Sequence, residues 1–168
     1  MANIVLSRID ERLIHGQIRL QWGKHSGANT ILVANDEIAN IEPLQAPFKA
    51  SAGSEFAVLF RTIEQTIANL PKAGSDRKIL LLCKEPSDFA RIVKGGINLP
   101  EINIGNMHYH QGRVSVNKYI NVNSRDMEAF RILNELGSKC TVQHMPESSK
   151  ECIFELTKNL ELEGGTVC

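Results

Sequence analysis

Arg8, Asp10, Arg12 and His15 fall within eight residues of the segment Ser7-Arg8-Ile9-Asp10-Glu11-Arg12-Leu13-Ile14-His15-Gly16-Gln17. Two guanidinium groups, a carboxylate and an imidazole at this density suit one task, the covalent receipt of a phosphoryl group and its onward transfer. The imidazole is the nucleophile: a nearby arginine tends to keep such a ring neutral, and only the neutral ring has a lone pair to offer phosphorus. The arginine then meets the equatorial oxygens of the group in transit, where positioning and charge stabilisation supply most of the catalysis. Asp10 is expected to hold the arginine in place. If the donor is itself a phosphorylated side chain, neither a cofactor nor a metal is required, and none is expected. On residue types and spacing alone, two blander readings stand beside this one: a structural ion pair with a bystander histidine, and a pocket for an anionic small molecule.

The cluster leaves the apolar run Ile4-Val5-Leu6 and enters a helix expected around Ile18 to Lys24. That junction lies outside the carboxyl end of a strand, where ligands sit in open α/β sheets, and the unpaired N–H groups of a first helical turn favour an anion there. Further strands are expected at Thr30–Ala34, Glu55–Phe60, Lys78–Cys83, Glu101–Ile104, Lys118–Val122 and Cys140–His144. Several are continuously apolar, as strands covered on both faces are. Helices fall between them, opened by Thr62, Ser87, Ser124 and Ser148 or Ser149, each a residue type able to cap a first turn. Gly95-Gly96 and Gly137 are expected to close two of them, and Met127, Phe130, Leu133, Asn134 and Leu136 to make a mostly apolar face on the Ser124 helix. This alternation specifies an α/β fold with a largely parallel sheet. Residues 105–118 are too polar for a core strand and too turn-rich for a helix; they read as a loop with a short hairpin at Val114-Ser115-Val116.

The 168 residues, 42% hydrophobic and 23% charged, suffice for a core without disulfide or metal, and no linker or repeat divides them, so one domain over 1–168 is expected, with a frayed tail at 163–168. Nineteen basic side chains balance nineteen acidic ones, which removes the electrostatic footprint of a nucleic-acid binder. No run approaches the length of a membrane span and the start lacks a signal peptide's regions, so the chain reads as cytoplasmic. Cys83, Cys140, Cys152 and Cys168 form no Cys-x-x-Cys pair; Cys83 and Cys140 read as small packing residues. His108 and His110, two apart, would share a face of an extended strand and bind a metal only with further ligands, which the spacing does not supply; the alternative places their loop beside a partner surface. Trp22 reads as a core residue, His25 as a helix-end cation, and His144 as a strand end.

The segment Arg8-Ile9-Asp10-Glu11-Arg12-Leu13-Ile14-His15-Gly16-Gln17 resembles the active-site segment of the IIB components of the mannose, fructose and sorbose family of the bacterial phosphoenolpyruvate-dependent sugar phosphotransferase system. Ala34-Asn35-Asp36-Glu37, Lys78 to Pro86 and Ile102-Asn103-Ile104-Gly105-Asn106-Met107-His108 resemble family segments at similar intervals. The resemblance implies a mixed sheet of about seven strands with helices on both faces. It implies that His15 takes phosphoryl, through Nδ1, from a phosphohistidine of a separate IIA component and passes it to a sugar entering through the IIC and IID membrane components. Arg12 matches the family's phosphate-stabilising arginine and Asp10 its accompanying acid. Arg8 and Gln17 are expected to support the loop, and Asp36 either to face the same crevice or to open a helix. A homodimer is compatible with the family. The same segments look most like the N-acetylgalactosamine branch, with mannose, fructose and sorbose open. Two rivals differ in what happens next: a regulatory phosphohistidine module would accept phosphate without yielding sugar phosphate, and an anion-binding domain would form no covalent adduct. Either role for His15 in protein-to-protein transfer requires it near the surface rather than in a deep pocket.

Overall fold

The computed structural model describes residues 2–163 and the backbone of 165 and 166. Strand β1 (Asn3–Asp10) enters the sheet first, and its last four residues, Ser7 to Asp10, are buried. A helix, α1, follows, a π-helical stretch at Ile18–Gly23 running into Lys24–Ser26. Next come β2 (Thr30–Ala34), short helices α2 (Asp36–Asn40) and α3 (Ala46–Ala52), β3 (Ala57–Arg61), α4 (Ile63–Asn69), β4 (Lys78–Cys83), α5 (Pro86–Lys94) and β5 (Glu101–Asn106). The remainder is β6 (Val114–Ser115), β7 (Asn121–Val122), α6 (Ser124–Glu135), β8 (Lys139–Val142), β9 (Glu151–Cys152), α7 (Ile153–Thr157) and the pair β10 (Glu161–Leu162) and β11 (Gly165–Thr166).

The main sheet has seven strands in the order β3-β2-β4-β1-β5-β8-β9. All neighbours are parallel except the antiparallel β8–β9 edge. The expected mixed α/β sheet of about seven strands is therefore present, with one change of membership. Lys118–Val122 does not join it: the Asn117 side chain accepts from the N–H groups of Tyr119 and Ile120, turning the chain, and Asn121–Val122 pairs with β6 in a separate ribbon. Its place is taken by Glu151–Cys152, a two-residue edge whose pairing displaces the start of the last helix from Ser148 or Ser149 to Ile153. The hairpin expected at Val114 exists as that β6–β7 ribbon.

Two apolar clusters cover the faces of the sheet. One joins α4, α5 and α6 to β4, β5 and β8 through Phe89, Ile92, Phe130, Leu133 and Ile104; the other packs Leu13, Ile14, Ile18 and Trp22 against Ile31, Val33, Leu80 and Leu82. In α6 Met127, Phe130 and Leu133 are buried as expected, whereas Leu136, past the helix end, is exposed. The caps also differ by a residue or two. Thr62 and Gln65 form the capping box of α4. Asn123 with Asp126, not Ser124, caps α6, since an amide oxygen accepts from N3 as readily as a hydroxyl does. Helix α5 starts at Pro86 ahead of Ser87, because proline's fixed φ suits a first position whose N–H is unpaired anyway. Fraying expected of 163–168 falls largely outside the described residues, of which Gly165 and Thr166 pair with Leu162 and Glu161. Cys83 and Cys140 are buried and unpaired. Among the described residues no helix is long and apolar enough to cross a membrane, and no group of His, Cys, Asp or Glu is placed to hold a metal ion.

Candidate active site at the carboxyl ends of the central strands

Strands β1, β5 and β8 are adjacent and parallel, so their carboxyl ends deliver Asp10, Asn106 and His144 to one edge of the sheet. Between Asp10 and α1 the chain turns abruptly. The Leu13 N–H donates to the Asp10 carbonyl at 2.9 Å, and Leu13 itself sits at φ 54°, a left-handed conformation that costs a leucine about 1–2 kcal/mol. Burial of Leu13 and Ile14, both 2% exposed or less, offsets that cost and pulls the turn against the sheet. The next residue, His15, is thereby returned to within reach of Asp10.

Asp10 is wholly buried and organises the turn. Its Oδ1 accepts from the Arg12 backbone N–H at 3.0 Å, and its Oδ2 lies 3.0 Å from His15 Nε2. A carboxylate only accepts, so Nε2 carries the proton and Nδ1 keeps the lone pair. Among the described residues no group hydrogen-bonds Nδ1, and it is not among the buried unpartnered atoms, so it faces outward from the ring's packed edge. The His15 side chain is 17% exposed, a ring set into the surface with one edge open. The N–H groups of Gly16, Gln17 and Ile18 beside it precede the first i→i+4 bond, from Arg19 to the His15 carbonyl, and give the edge a partial positive charge.

Arg12 is expected beside the phosphate, and its guanidinium stands at the surface, 40% exposed, with Nε 3.8 Å from Asp10 Oδ1 and Nη2 donating to Gln17 Oε1 at 3.3 Å. Gln17, expected to support the loop, is thus a side chain that accepts from Arg12. Arg8 differs in kind. It is 1% exposed, lies 4.2 Å over the Trp22 ring, and donates from Nη1 to Asn103 Oδ1 and to the Gln143 carbonyl at 2.9 Å and from Nη2 to the His144 carbonyl at 3.3 Å. Burial pulls its pKa down to about 10, against the attraction of Asp10. It ties β1 to β5 and β8 from beneath, and its Nε is 3.9 Å from Asp10 Oδ2.

Asp36 is not brought to this cluster. Its strand, β2, is separated from β1 by β4, and its carboxylate accepts from the Ile63 N–H at 2.8 Å and Arg91 Nη1 at 2.7 Å, linking α4 to α5. Asn35, not Asp36, caps α2. The hollow of about 590 Å³ that Asp36 borders with Lys84, Arg91 and Arg125 does not include His15.

Several members of the site escape a reading of the first loop alone. Glu11 receives Arg113, whose Nε and Nη2 also donate to Asp126 at 3.0 and 3.3 Å, and its Oε2 lies 2.9 Å from His110 Nε2 and 3.5 Å from His108 Nδ1. Burial alone would raise the Glu11 pKa; the hydrogen bonds from Arg113 and His110 outweigh it and hold the group below the usual carboxylate range. The polar loop after β5 is therefore strapped to the histidine loop by ion pairs. Trp22 is buried as expected and also carries Arg8. His25 meets Trp22 edge-on, and His144 stacks on Tyr119 at 3.6 Å just past the end of β8. The one signal for these contacts was the polarity of residues 107–113 with His108, His110 and Arg113 among them, while Gly105 and Asn106, read as loop, are the buried end of β5.

Sequence and structure comparisons place the chain in a family. The family of the sorbose-subfamily IIB component of the phosphotransferase system matches residues 4–164. The chain is 46% identical over 157 residues to the N-acetylgalactosamine-specific phosphotransferase enzyme IIB component 2 of Escherichia coli (strain K12), spanning 93% of this chain and 99% of that protein. Among solved structures, the N-acetylgalactosamine-specific IIB component 1 from Escherichia coli superposes with a TM-score of 0.84 at 36% identity, covering 90% of this chain and 99% of that one. An N-acetylgalactosamine IIB component from Streptococcus pyogenes does so with a TM-score of 0.87 at 31% identity, covering 92% and 98%. The chain belongs to the IIB components of the mannose, fructose and sorbose family of the phosphotransferase system. Proteins of this kind take part in phosphoryl transfer for sugar transport and interact with IIA and with IIC and IID components.

Proposed function

We propose that this chain carries phosphoryl on His15 Nδ1, with Arg12 as charge stabiliser and Asp10 as the group that fixes the ring. The observation that supports it best is the 3.0 Å contact of Asp10 Oδ2 with His15 Nε2, which leaves Nδ1 as the nucleophilic atom. The Nδ1 lone pair attacks the phosphorus of a phosphohistidine on IIA, the donor's P–N bond breaks, and its electron pair returns to the donor imidazole. As the new N–P bond forms, positive charge grows on the His15 ring, and the Asp10 carboxylate against Nε2–H stabilises it. Arg12 meets the phosphoryl oxygens, with the free N–H groups at the start of α1 beside it. In the second transfer a sugar hydroxyl attacks phosphorus and gives its proton to solvent, while the N–P bond breaks and its electron pair returns to His15 Nδ1. Asp10 thus serves His15 directly as well as standing by Arg12, a larger part than the expected prop. The added phosphate, roughly two negative charges, turns a formally neutral loop anionic and favours exchange of IIA for the membrane components. N-acetylgalactosamine is the sugar favoured, on the names of the relatives with 46% and 36% identity.

Intact-mass spectrometry of the chain and of His15→Ala, after incubation with phosphoenolpyruvate, the general phosphotransferase proteins and IIA, tests the carrier role. An acid-labile gain of one phosphoryl mass, absent from the variant, is expected. No gain beside a phosphorylated IIA would refute it and leave the anion-binding reading. Membranes bearing IIC and IID, supplied with N-acetylgalactosamine, mannose, fructose or sorbose in turn, then identify the sugar; phosphorylated carrier that yields no sugar phosphate with any of them would favour the regulatory module.

A further inference from the structure

Arg12 stands at the surface, and a charge that has to meet a phosphoryl group needs something to hold it. Asn106, at the end of β5 and 7% exposed, lies against it. The Asn106 amide has two orientations, and the guanidinium, a donor at every nitrogen, decides between them. With its oxygen toward Arg12 the amide accepts from both Nε and Nη2 at 3.0 Å, and its NH₂ group then donates to His108 Nε2 at 3.2 Å. Turned over, the NH₂ group opposes two N–H donors and all three bonds are lost.

That orientation has a consequence one residue further on. If His108 Nε2 accepts, its proton is on Nδ1, and Nδ1 lies 3.5 Å from Glu11 Oε2, which can only accept. Glu11 in turn is held by Arg113, whose guanidinium also binds the His108 carbonyl at 2.8 Å and is anchored on Asp126 at the N-terminus of α6. Directed hydrogen bonds therefore run from Arg12 to Asn106 to His108, and the far nitrogen of His108 faces the Glu11 carboxylate at 3.5 Å, so that each donor and acceptor agrees with the next.

We propose that Asn106 and His108 are positioning residues for Arg12, His108 as the neutral Nδ1–H tautomer locking the Asn106 amide with its oxygen on the guanidinium. The inference rests on the carrier reading for its consequence in transfer, but not for its geometry. Protonating His108 turns Nε2 into a donor. The amide then has to rotate, or leave His108 unpaired, and in rotating it drives its NH₂ group against Arg12. The groups facing the His108 ring are Asn106 and Glu11, with His110 and Arg113 sharing the same carboxylate.

Two measurements test this separately. Long-range ¹H–¹⁵N NMR correlation of the histidine rings at pH 8 is expected to report His108 as Nδ1–H and His15 as Nε2–H; an Nε2–H tautomer at His108 overturns the proposal whatever the chain's activity. Rates of phosphoryl acceptance from phosphorylated IIA then follow the coupling. Asn106→Ala is expected to slow transfer by about 10–100-fold, the cost of a misplaced transition-state contact, yet to add less than about twofold to the loss in Arg12→Ala. His108→Gln, which keeps an acceptor, is expected to stay within about threefold of the parent, while His108→Lys, a donor only, falls as far as Asn106→Ala. Losses in Asn106→Ala and Arg12→Ala that simply multiply, or equal rates in the Gln and Lys variants, would overturn it. Failure of the parent chain itself to accept phosphate would instead refute the carrier reading, leaving the tautomer result to stand on its own.

Discussion

Gly105→Ala is expected to be among the costliest methyl additions in the molecule. A Cβ built at Gly105 lies 1.9 Å from Arg8 Nη2, 2.0 Å from Cζ and 2.5 Å from Nε. Ordinary contact is about 3.5 Å, so the guanidinium or the strand has to yield by about 1.5 Å. Arg8 has nowhere to go: Trp22 lies under it, and Asn103 and the carbonyls of Gln143 and His144 hold its outer nitrogens. A shift of that size takes the 2.9 Å bond to Gln143 and its neighbour to Asn103 out of range. Hydrogen bonds to a charged group contribute about 1.5–3 kcal/mol each, and a buried charge stripped of partners costs about 3–5 kcal/mol. We therefore expect Gly105→Ala to lose about 3–5 kcal/mol, a fall of about 1–3 M in the urea midpoint. Gly16→Ala supplies the control, because a Cβ there meets nothing within 4 Å and the residue begins a helix, where alanine gains about 0.5–1 kcal/mol over glycine. Arg8→Met combined with Gly105→Ala identifies the cause: with the guanidinium gone the alanine is expected to add little to the loss from Arg8→Met alone. A Gly105→Ala chain within about 1 kcal/mol of the parent, or a double variant that sums the two losses, would show that this packing does not set the requirement for glycine.

Other expectations concern charge. Burial, reinforced by Glu85 and opposed by Arg91, pushes the Asp88 carboxyl up to about 7. Because the folded state then holds a proton that the unfolded chain has released, stability falls as pH rises from about 4 to 7 and is flat above. Asp88→Asn is expected to flatten that slope in urea titrations and to gain about 1–3 kcal/mol at pH 8 with little change at pH 4; an unchanged slope refutes it. Glu11, whose pKa is depressed, contributes in the opposite sense, its stabilisation being lost as pH falls below the usual carboxylate range, and Glu11→Gln should remove that acid-side loss in the same titrations. His15→Ala forfeits one hydrogen bond to Asp10 and is expected to cost under about 1.5 kcal/mol while abolishing phosphoryl acceptance, as thermal unfolding and mass spectrometry will show. Arg12→Lys should slow transfer by about tenfold or more, because a point charge cannot span Asn106 and Gln17 as the fork does; unchanged single-turnover rates would remove Arg12 from the mechanism.

What the sequence made legible follows from which forces are local. Thr30–Ala34 and Lys78–Cys83 are continuously apolar after their first residues and match their strands to the residue, since burial of Ile31–Ala34 and Ile79–Cys83 on both faces leaves nothing to negotiate. The cap at Thr62 was equally plain, because its capping box closes within three residues. Lys118–Val122 has a strand's composition, but a side chain at Asn117 turns it into another sheet, and no periodicity records that. The site divides in the same way. Asp10, Arg12, His15 and Gln17 are neighbours in sequence and were read together, whereas Asp36, read with them by position, is drawn away by Arg91 on a helix more than fifty residues on.

The partners that complete the site come from the far side of the chain, and the parallel register explains why they had to. A strand end offers one loop, too short to hold a guanidinium, an imidazole and a carboxylate in fixed relation by itself; adjacent parallel strands bring further loops to the same edge. Here β5 supplies Asn106 and β8 supplies the carbonyls that hold Arg8, while the loop after β5 returns Arg113 to Glu11. The two arginines of the first loop are thereby given opposite tasks by depth alone. Arg8, 1% exposed, has both outer nitrogens on acceptors and its Nε buried without a partner 3.9 Å from Asp10, and acts as a fixed positive charge under Asp10. Arg12, held along one edge by Asn106 and Gln17 and open to solvent elsewhere, leaves Nη1 without a hydrogen bond among the described residues. Sequence places both within three residues of the same aspartate; it is the burial of Arg8 that makes Arg12 the arginine to which the proposed contact with phosphate is assigned.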